Sequence, residues 1–252
     1  MNDRIEMIAL TSVPVVREPR PLAPLVLDAL EAEGIAPRAG DVLVIAQKLV
    51  SKAEGAFVDL ATVTPGERAT SIAGATGKDP RLVELILAES REVVRVSGGH
   101  LITEHRLGFV CANAGVDMSN SGARDRAVLL PRDPDASARD LRLAIRERHG
   151  VDASVIVSDS HGRAFRNGAI GVAIGVSGLL PVHSYRGEAD LDGRLLRTSE
   201  EAVADELASA ASLLMGQASE GRPVVLIRGY AGDRCEGGYA PLVRDPERDL
   251  FR

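Results

Sequence analysis

Gly40-Asp-Val-Leu-Val-Ile-Ala-Gln-Lys-Leu-Val-Ser-Lys-Ala-Glu-Gly55 is the stretch on which the reading of the fold turns. Residues 41–46 open from an Ala39-Gly40 turn and read as a buried strand. Residues 47–53 follow directly and bring Gln47, Lys48 and Lys52 to the end of that strand. A second apolar run, at 153–158, reads the same way and delivers Asp159 at its end. Strands that alternate irregularly with helical patterns indicate an α/β to α+β fold with a mixed sheet, not a regular doubly wound one.

Outward from this stretch, residues 6–10 read as a short strand, and Pro14, Pro19, Pro21 and Pro24 mark an irregular connection. Residues 22–33 have helical apolar spacing that stops at Gly34. Thr64-Pro65-Gly66-Glu67 predicts a helix start with Thr64 as its cap. Asp79-Pro80 opens another helix over 81–90. Residues 92–96 and 100–104 predict strands about a Gly98-Gly99 turn, and 109–112 a further strand running toward Asp117. Asp133-Pro134-Asp135 leads into a charged helix over 136–149, closed by Gly150. Residues 168–178 are glycine-rich and apolar, which fits a tightly packed segment. Residues 199–215 predict a long helix stopped at Gly216, and 223–228 a last strand. No repeat or long linker divides the chain, so residues 1–252 read as one module or as two interlocked subdomains.

Hydrophobic residues at 45% and charged residues at 26% place the chain among ordinary globular proteins. Aromatics are only 3% and Trp is absent, so the core must be Val, Leu, Ile and Ala. A formal net charge of -6 without basic–aromatic clusters argues against general nucleic-acid binding. No apolar stretch reaches the ~18 residues a membrane span needs, and the N-terminus lacks a signal-peptide pattern. Cys111 and Cys235 form no CxxC or zinc pattern, so a reducing cytoplasm is the expected location. Among 30 basic residues only Lys48, Lys52 and Lys78 are lysines, and two of them stand four apart beside the first buried strand. Their compact ammonium groups suit phosphate oxygens.

Chemistry has a few candidate places. In Ser158-Asp-Ser-His-Gly-Arg163, a strand-end Asp159 is a common holder of Mg²⁺ or Mn²⁺. Ser160 adds a second oxygen there, and Arg163 and Arg166 suit a phosphate or carboxylate. An Asx-type turn at a strand end is the alternative. In Cys111-Ala-Asn-Ala-Gly-Val-Asp-Met-Ser-Asn120, Asp117 and Asn120 lie three apart. Asp117 and Asp159 together can converge on one cation, as phosphoryl transfer requires, although an ordinary polar loop accounts for the same residues. Gln47, Lys48 and Lys52 stand where nucleotide phosphates often dock, or simply begin a solvated helix. Neither GxxxxGK[ST] nor GxGxxG occurs, so neither a Walker-type P-loop nor a Rossmann domain is expected. His161 beside Ser160 is no hydrolase pair, because neighbours on an extended chain point apart and no GxSxG elbow exists. Gln217, after the long helix, either reaches a ligand or caps the helix. The residues alone indicate a metal-assisted enzyme acting on an anionic substrate.

Several blocks, in order over essentially the whole chain, resemble the coenzyme F420-0:L-glutamate ligase (F420:gamma-glutamyl ligase) family. They are the opening stretch, Phe109-Val-Cys-Ala-Asn-Ala-Gly-Val-Asp117 with Ser119-Asn120, and Leu130-Pro-Arg-Asp-Pro-Asp-Ala-Ser-Ala138. Ser158 to Arg163, Arg166-Asn-Gly168, Gly171-Val-Ala-Ile-Gly175, Asp190-Leu-Asp-Gly-Arg194 and Val203-Ala-Asp-Glu206 complete the series. The resemblance implies a GTP-dependent ligase that adds L-glutamate to the carboxylate of the coenzyme F420 precursor through an acyl phosphate. It also implies further γ-linked glutamates, two Mg²⁺ or Mn²⁺ ions, K⁺, a family-specific fold and an intertwined homodimer. A same-fold ligase for another carboxylate or amine, or a metal-dependent phosphohydrolase, are the alternatives.

By position, the resemblance assigns Asp117, Asp159, Ser160 and Gln217 to metal. It assigns Gln47, Lys48, Lys52 and Asn120 to the guanine nucleotide, together with Pro14, Val15, Val16 and Arg17. Met215, Gly216, Gln217, Ala218, Ser219, Glu220, Gly221 and Arg222 form the last nucleotide-contacting segment. His161 stands where relatives more often carry Phe or Asn, and Arg17-Glu-Pro-Arg-Pro21 replaces a commonly acidic loop. A C-terminal flavin-dependent domain, carried by some relatives, is not expected within residues 1–252.

Overall fold

The computed structural model describes residues 4–249; the first and last three residues of the 1–252 module lie outside the described residues. A five-stranded mixed sheet organises the chain. Its strands are β1 (Glu6–Leu10), β2 (Val42–Ala46), β8 (Ser154–Arg163), β9 (Arg166–Ser177) and β12 (Val224–Arg228). The intervening strands are β3 (Phe57–Asp59), β4 (Ser90–Ser97), β5 (His100–His105), β6 (Val110–Ala112), β7 (Arg126–Val128), β10 (His183–Ser184) and β11 (Glu200–Glu201). The main sheet runs in the order β1-β12-β2-β8-β9. Only β2 and β8 pair in parallel; the other neighbours are antiparallel.

Both faces of this sheet are covered, which explains the continuous apolar runs at its centre. Leu43, Ile45, Val155, Val157, Val224 and Leu226 point to one core. That core is closed by helices α1 (Leu22–Ala32), α2 (Gln47–Ala53) and α5 (Pro134–His149). Val42, Val44, Ile156, Val225 and Ile227 point the other way, against helix α6 (Val203–Met215). Fully burying each such side chain contributes about 1.5–3 kcal/mol. A third core lies under helices α3 (Glu67–Thr76) and α4 (Pro80–Ala88), the β4-β5-β6 sheet and the β3-β7 pair. An antiparallel bridge, Asp117 to Val128, ties the loop after β6 to β7.

The mixed α/β class agrees with the sequence reading, and most elements fall where expected. Asp79 and Asp133 cap α4 and α5 as the Asp-Pro pairs predict. The glycine-rich segment is strand β9, packed closely as expected. A Cβ on Gly171 would collide with the Ala208 carbonyl of α6, and one on Gly175 with the Pro134 carbonyl of α5. Carboxylates of Asp205 and Asp135 accept the N–H groups of Ala173 and Val176, so this edge strand is covered by the same two helices.

Three expectations are corrected. The helix after Thr64-Pro65 begins at Glu67 with Gly66 at its cap position, because the Glu84 carboxylate from α4 accepts the Gly66 N–H. The helix predicted from residue 199 begins at Val203, because Glu200–Glu201 pairs with β10. Asp159 is not at a strand end: β8 continues to Arg163 as one arm of a hairpin with β9. Gly175→Val should cost at least about 2 kcal/mol of stability by overpacking β9 against α5. A urea unfolding midpoint equal to that of the parent would refute this packing.

Candidate functional site

The parallel register places Ala46 beside Ser158. Gln47, the first residue of α2, and Asp159, which continues along β8, therefore follow side by side where the β2–β8 pairing ends. Ligands of α/β sheets commonly bind in such positions. Gln47 is buried, and its carboxamide oxygen accepts the Ser51 hydroxyl at 2.9 Å. Lys48 reaches across 69 residues of sequence to Asp117, with Nζ 2.6 Å from Oδ2 and 2.9 Å from the Ser119 hydroxyl.

Asp117 is fixed from several directions. Its backbone is bridged to Val128, and its Oδ1 accepts the Ser119 N–H at 2.6 Å. The Ser119 hydroxyl donates to Oδ2 at 2.8 Å. Burial acts to raise this carboxyl, but the Lys48 and Ser119 hydrogen bonds outweigh it and hold Asp117 below the ordinary carboxylate range. The surrounding loop is conformationally unusual. Asn113, Ala114 and Asn120 all take positive φ, at 55, 49 and 54°. For Ala114, fully buried beneath the site, this is a strained conformation of the kind that collects at ligand sites.

Asp159 is held by a different set. Its Oδ2 lies 3.0 Å from Nε2 of His161, two residues on and so on the same side of β8. Phe109 supports His161, with ring centroids 5.2 Å apart, and stacks on the buried His105 at the same separation. Burial, with the Asp159 carboxylate nearby, pushes the Cys111 thiol up to about 12. Ser160 points away from His161, as the extended chain requires, and its hydroxyl accepts the Gln217 amide at 3.0 Å. That bond brings the loop after α6 to β8. Within the loop, Gly216 has φ 74°, and Glu220 folds back to accept the Ala218 N–H at 2.8 Å. Ala218, Ser219, Gly221 and Arg222 are exposed, and Met215 is half-buried.

Lys52 lies one helical turn beyond Lys48. Burial lowers its ammonium below the usual range, and the like charges of Lys48, Arg17 and Arg126 add to this, opposed by Asp117. Arg17 thus joins the lysines, at the end of the Pro14, Val15 and Val16 segment, in which Val15 is exposed and Val16 buried. Arg163 and Arg166 stand opposite each other at the far end of the hairpin, with Arg163 four residues, about 13 Å of strand, beyond Asp159. There Arg163 donates to the Asn167 carbonyl.

Among the described residues no group of three or more His, Cys, Asp or Glu side chains is set to hold a metal ion, and no hydrogen bond or ion pair joins Asp117 to Asp159. The donors nevertheless suit a hard cation. Asp159 Oδ1 meets no protein donor among the described residues, while Ser160, on the opposite side of β8, bonds the Gln217 amide there. Mg²⁺ is characteristically bound by one or two carboxylates with substrate phosphates and water completing the shell. The Lys48 ammonium occupies the cation-attracting position at Asp117.

Sequence reasoning did not assign roles to Ser119, His161 or Arg126. The two-residue spacing of Asp159 and His161 on a strand was the signal for His161, and Asp-x-Ser, which favours an Asx-type turn, was the signal for Ser119. Nothing in the spacing signals Arg126.

Comparison with known proteins gives a consistent result. The family model described as F420-0:Gamma-glutamyl ligase matches residues 11–229. The chain is 49% identical over 250 residues to the coenzyme F420:L-glutamate ligase of Methanothermobacter thermautotrophicus, covering 98% of this chain and 99% of that one. It is 49% identical over 247 residues to the enzyme of the same name from Methanopyrus kandleri, covering 95% and 96%. The corresponding Methanocaldococcus jannaschii protein is 48% identical over 215 residues, covering 84% and 85%.

Two outcomes test this geometry. In Lys48→Met, Asp117 loses the first of the hydrogen bonds that oppose its burial, so its carboxyl should titrate higher than in the parent by carbon-13 NMR; an unchanged value would contradict the account. In the parent protein the folded carboxyl lies below its unfolded value. Its stability contribution is therefore present above the ordinary carboxylate pKa and lost as pH falls through the depressed one. Second, iodoacetamide at pH 8 should modify Cys235 and spare Cys111; comparable rates at the two would contradict the packing of β6 against Asp159.

Proposed function

The chain belongs to the F420-0:gamma-glutamyl ligase family, and from that premise we propose that it joins L-glutamate to the carboxylate of the coenzyme F420 precursor at the expense of GTP. Two observations support this reading beside the family membership: Lys48, just past the end of β2, bonds Asp117, and the β2–β8 register sets Ala46 next to Ser158, the neighbour of Asp159; Lys52 and Arg17 add positive charge that makes no ion pair among the described residues.

The chemistry proceeds in two transfers. A precursor carboxylate oxygen attacks the γ-phosphorus of GTP, the bond to the β-phosphate oxygen breaks, and GDP leaves. The glutamate nitrogen then attacks the acyl carbon, loses a proton, and phosphate departs as the amide forms. Lys48 and Lys52 are placed to hold phosphate oxygens as point charges, and Gln47 sits beneath them at the strand end. Pro14, Val15, Val16, Arg17, Asn120 and the segment 215–222 complete the nucleotide site. Asp117, Asp159, Ser160 and Gln217 would hold Mg²⁺ or Mn²⁺, two ions in all, with K⁺ as an accompanying ion. A bound divalent ion offsets phosphate charge during transfer. His161 keeps Asp159 oriented, and the apolar packing of Phe109 behind it limits water on that side. The acyl phosphate must be shielded from water, since hydrolysis would waste it.

We further propose that γ-linked glutamates follow the first, that the protein works in the cytoplasm, and that it is a homodimer. The exposed Leu191 and Leu195 support the last point. No helix among the described residues is long and apolar enough to cross a membrane.

The test is mass spectrometry of a reaction containing precursor, L-glutamate, GTP and Mg²⁺. The precursor should gain a glutamyl residue with one GDP formed per residue added. Phosphate release without an amine acceptor would instead indicate a phosphohydrolase, and ligation of a different amino acid a same-fold ligase of other specificity. Asp159→Asn should lower turnover more than about a hundredfold with an unchanged melting profile; a fully active variant would sink the role given to Asp159.

A further inference from the structure

Arg126 is the cation of this region with no motif around it. It opens β7 opposite Asp59 of β3, yet its side chain turns to neither carboxylate nor solvent alone. The guanidinium carbon lies 3.6 Å from the centroid of the Phe57 ring. Such stacking fixes the guanidinium plane and leaves its N–H edges free to bond. One of those edges donates to the Arg17 carbonyl at 3.4 Å. Arg126 makes no ion pair among the described residues, and neither do Arg17 and Lys52. All three lie in one electrostatic neighbourhood, whose nearby carboxylate, Asp117, is already bonded to Lys48. Lys48, Lys52, Arg17 and Arg126 thus bring four positive charges from three segments of chain, the 14–17 loop, α2 and β7, around the Asp117 carboxylate. Gathering like charges is unfavourable unless an anion joins them.

We propose that Arg126, clamped flat on Phe57, is an additional phosphate-binding residue of the nucleotide site and the post that holds the Arg17 segment against it. This rests on the nucleotide reading given above. A planar guanidinium bonds two phosphate oxygens at once, which the point charges of Lys48 and Lys52 cannot do. Phe57 sets the plane, and the Arg17 carbonyl takes one N–H so that the others face the anion.

The test measures binding of GMP, GDP, GTP and inorganic tripolyphosphate to the parent chain and to Arg126→Ala, Arg126→Lys, Arg126→Gln and Phe57→Leu, with KM for each substrate. Arg126→Ala should weaken GTP binding about tenfold or more, as loss of a charge-assisted contact implies. The loss should shrink from GTP to GMP, and KM for precursor and glutamate should stay unchanged. Arg126→Lys should recover part of the affinity and Arg126→Gln little, while Phe57→Leu should lie between parent and Arg126→Ala. A merely structural role would change all ligands alike and would not be rescued by Lys. GTP binding by folded Arg126→Ala or Arg126→Gln at the parent's affinity overturns this assignment alone. A parent chain that binds none of the four ligands overturns the nucleotide reading and this assignment with it.

Discussion

The parallel pairing of β2 with β8 is the constraint from which the rest of the structure follows. A parallel pair has no wet face, so every residue of Val42–Ile45 and Val155–Val157 must be buried. Alternate side chains then supply two separate cores, one under α1, α2 and α5 and one under α6. A one-residue slip would exchange the two sets and misfit both layers. The same register places Asp159, within β8, beside the point where β2 ends and Gln47 begins α2.

Around that pair the site is assembled from parts far apart in sequence. Lys48 is the link between the main sheet and the smaller core: its bond to Asp117 spans the two, and the Asp117–Val128 bridge anchors the far end. The Asp159 side is built separately, through His161 and the Phe109 stack, with Gln217 drawn in by Ser160. Each carboxylate is therefore held by its own packed support.

Much of this was legible in the sequence where a local rule decides the outcome. The apolar runs of β2 and β8, the Asp-Pro caps of α4 and α5, and the close-packed glycines of β9 all carry their reason within a few residues. The parts that were not legible depend on partners distant in sequence. The strands β3, β7, β10 and β11 are two or three residues long, and pairing alone defines them. Thr64 has the right chemistry for a cap but loses to Gly66, whose N–H is satisfied by Glu84 from another helix. Asp159 looked like a strand end because the apolar run stops at Val157, yet the strand continues polar and half-exposed because β9 pairs with it. The metal and nucleotide assignments came from family resemblance; the structure adds contacts, of Ser119 with Asp117, His161 with Asp159, and Arg126 with the Arg17 carbonyl.

The central claim is that the end of the β2–β8 pairing and the Asp117 loop form one site for a metal-bound nucleotide. The most direct measurement is an anomalous-scattering map from a crystal grown with GDP and Mn²⁺. The account predicts manganese bound by both Asp117 and Asp159, with the diphosphate toward Lys48 and Lys52. Manganese held by neither aspartate, or a diphosphate bound away from both lysines, would contradict it.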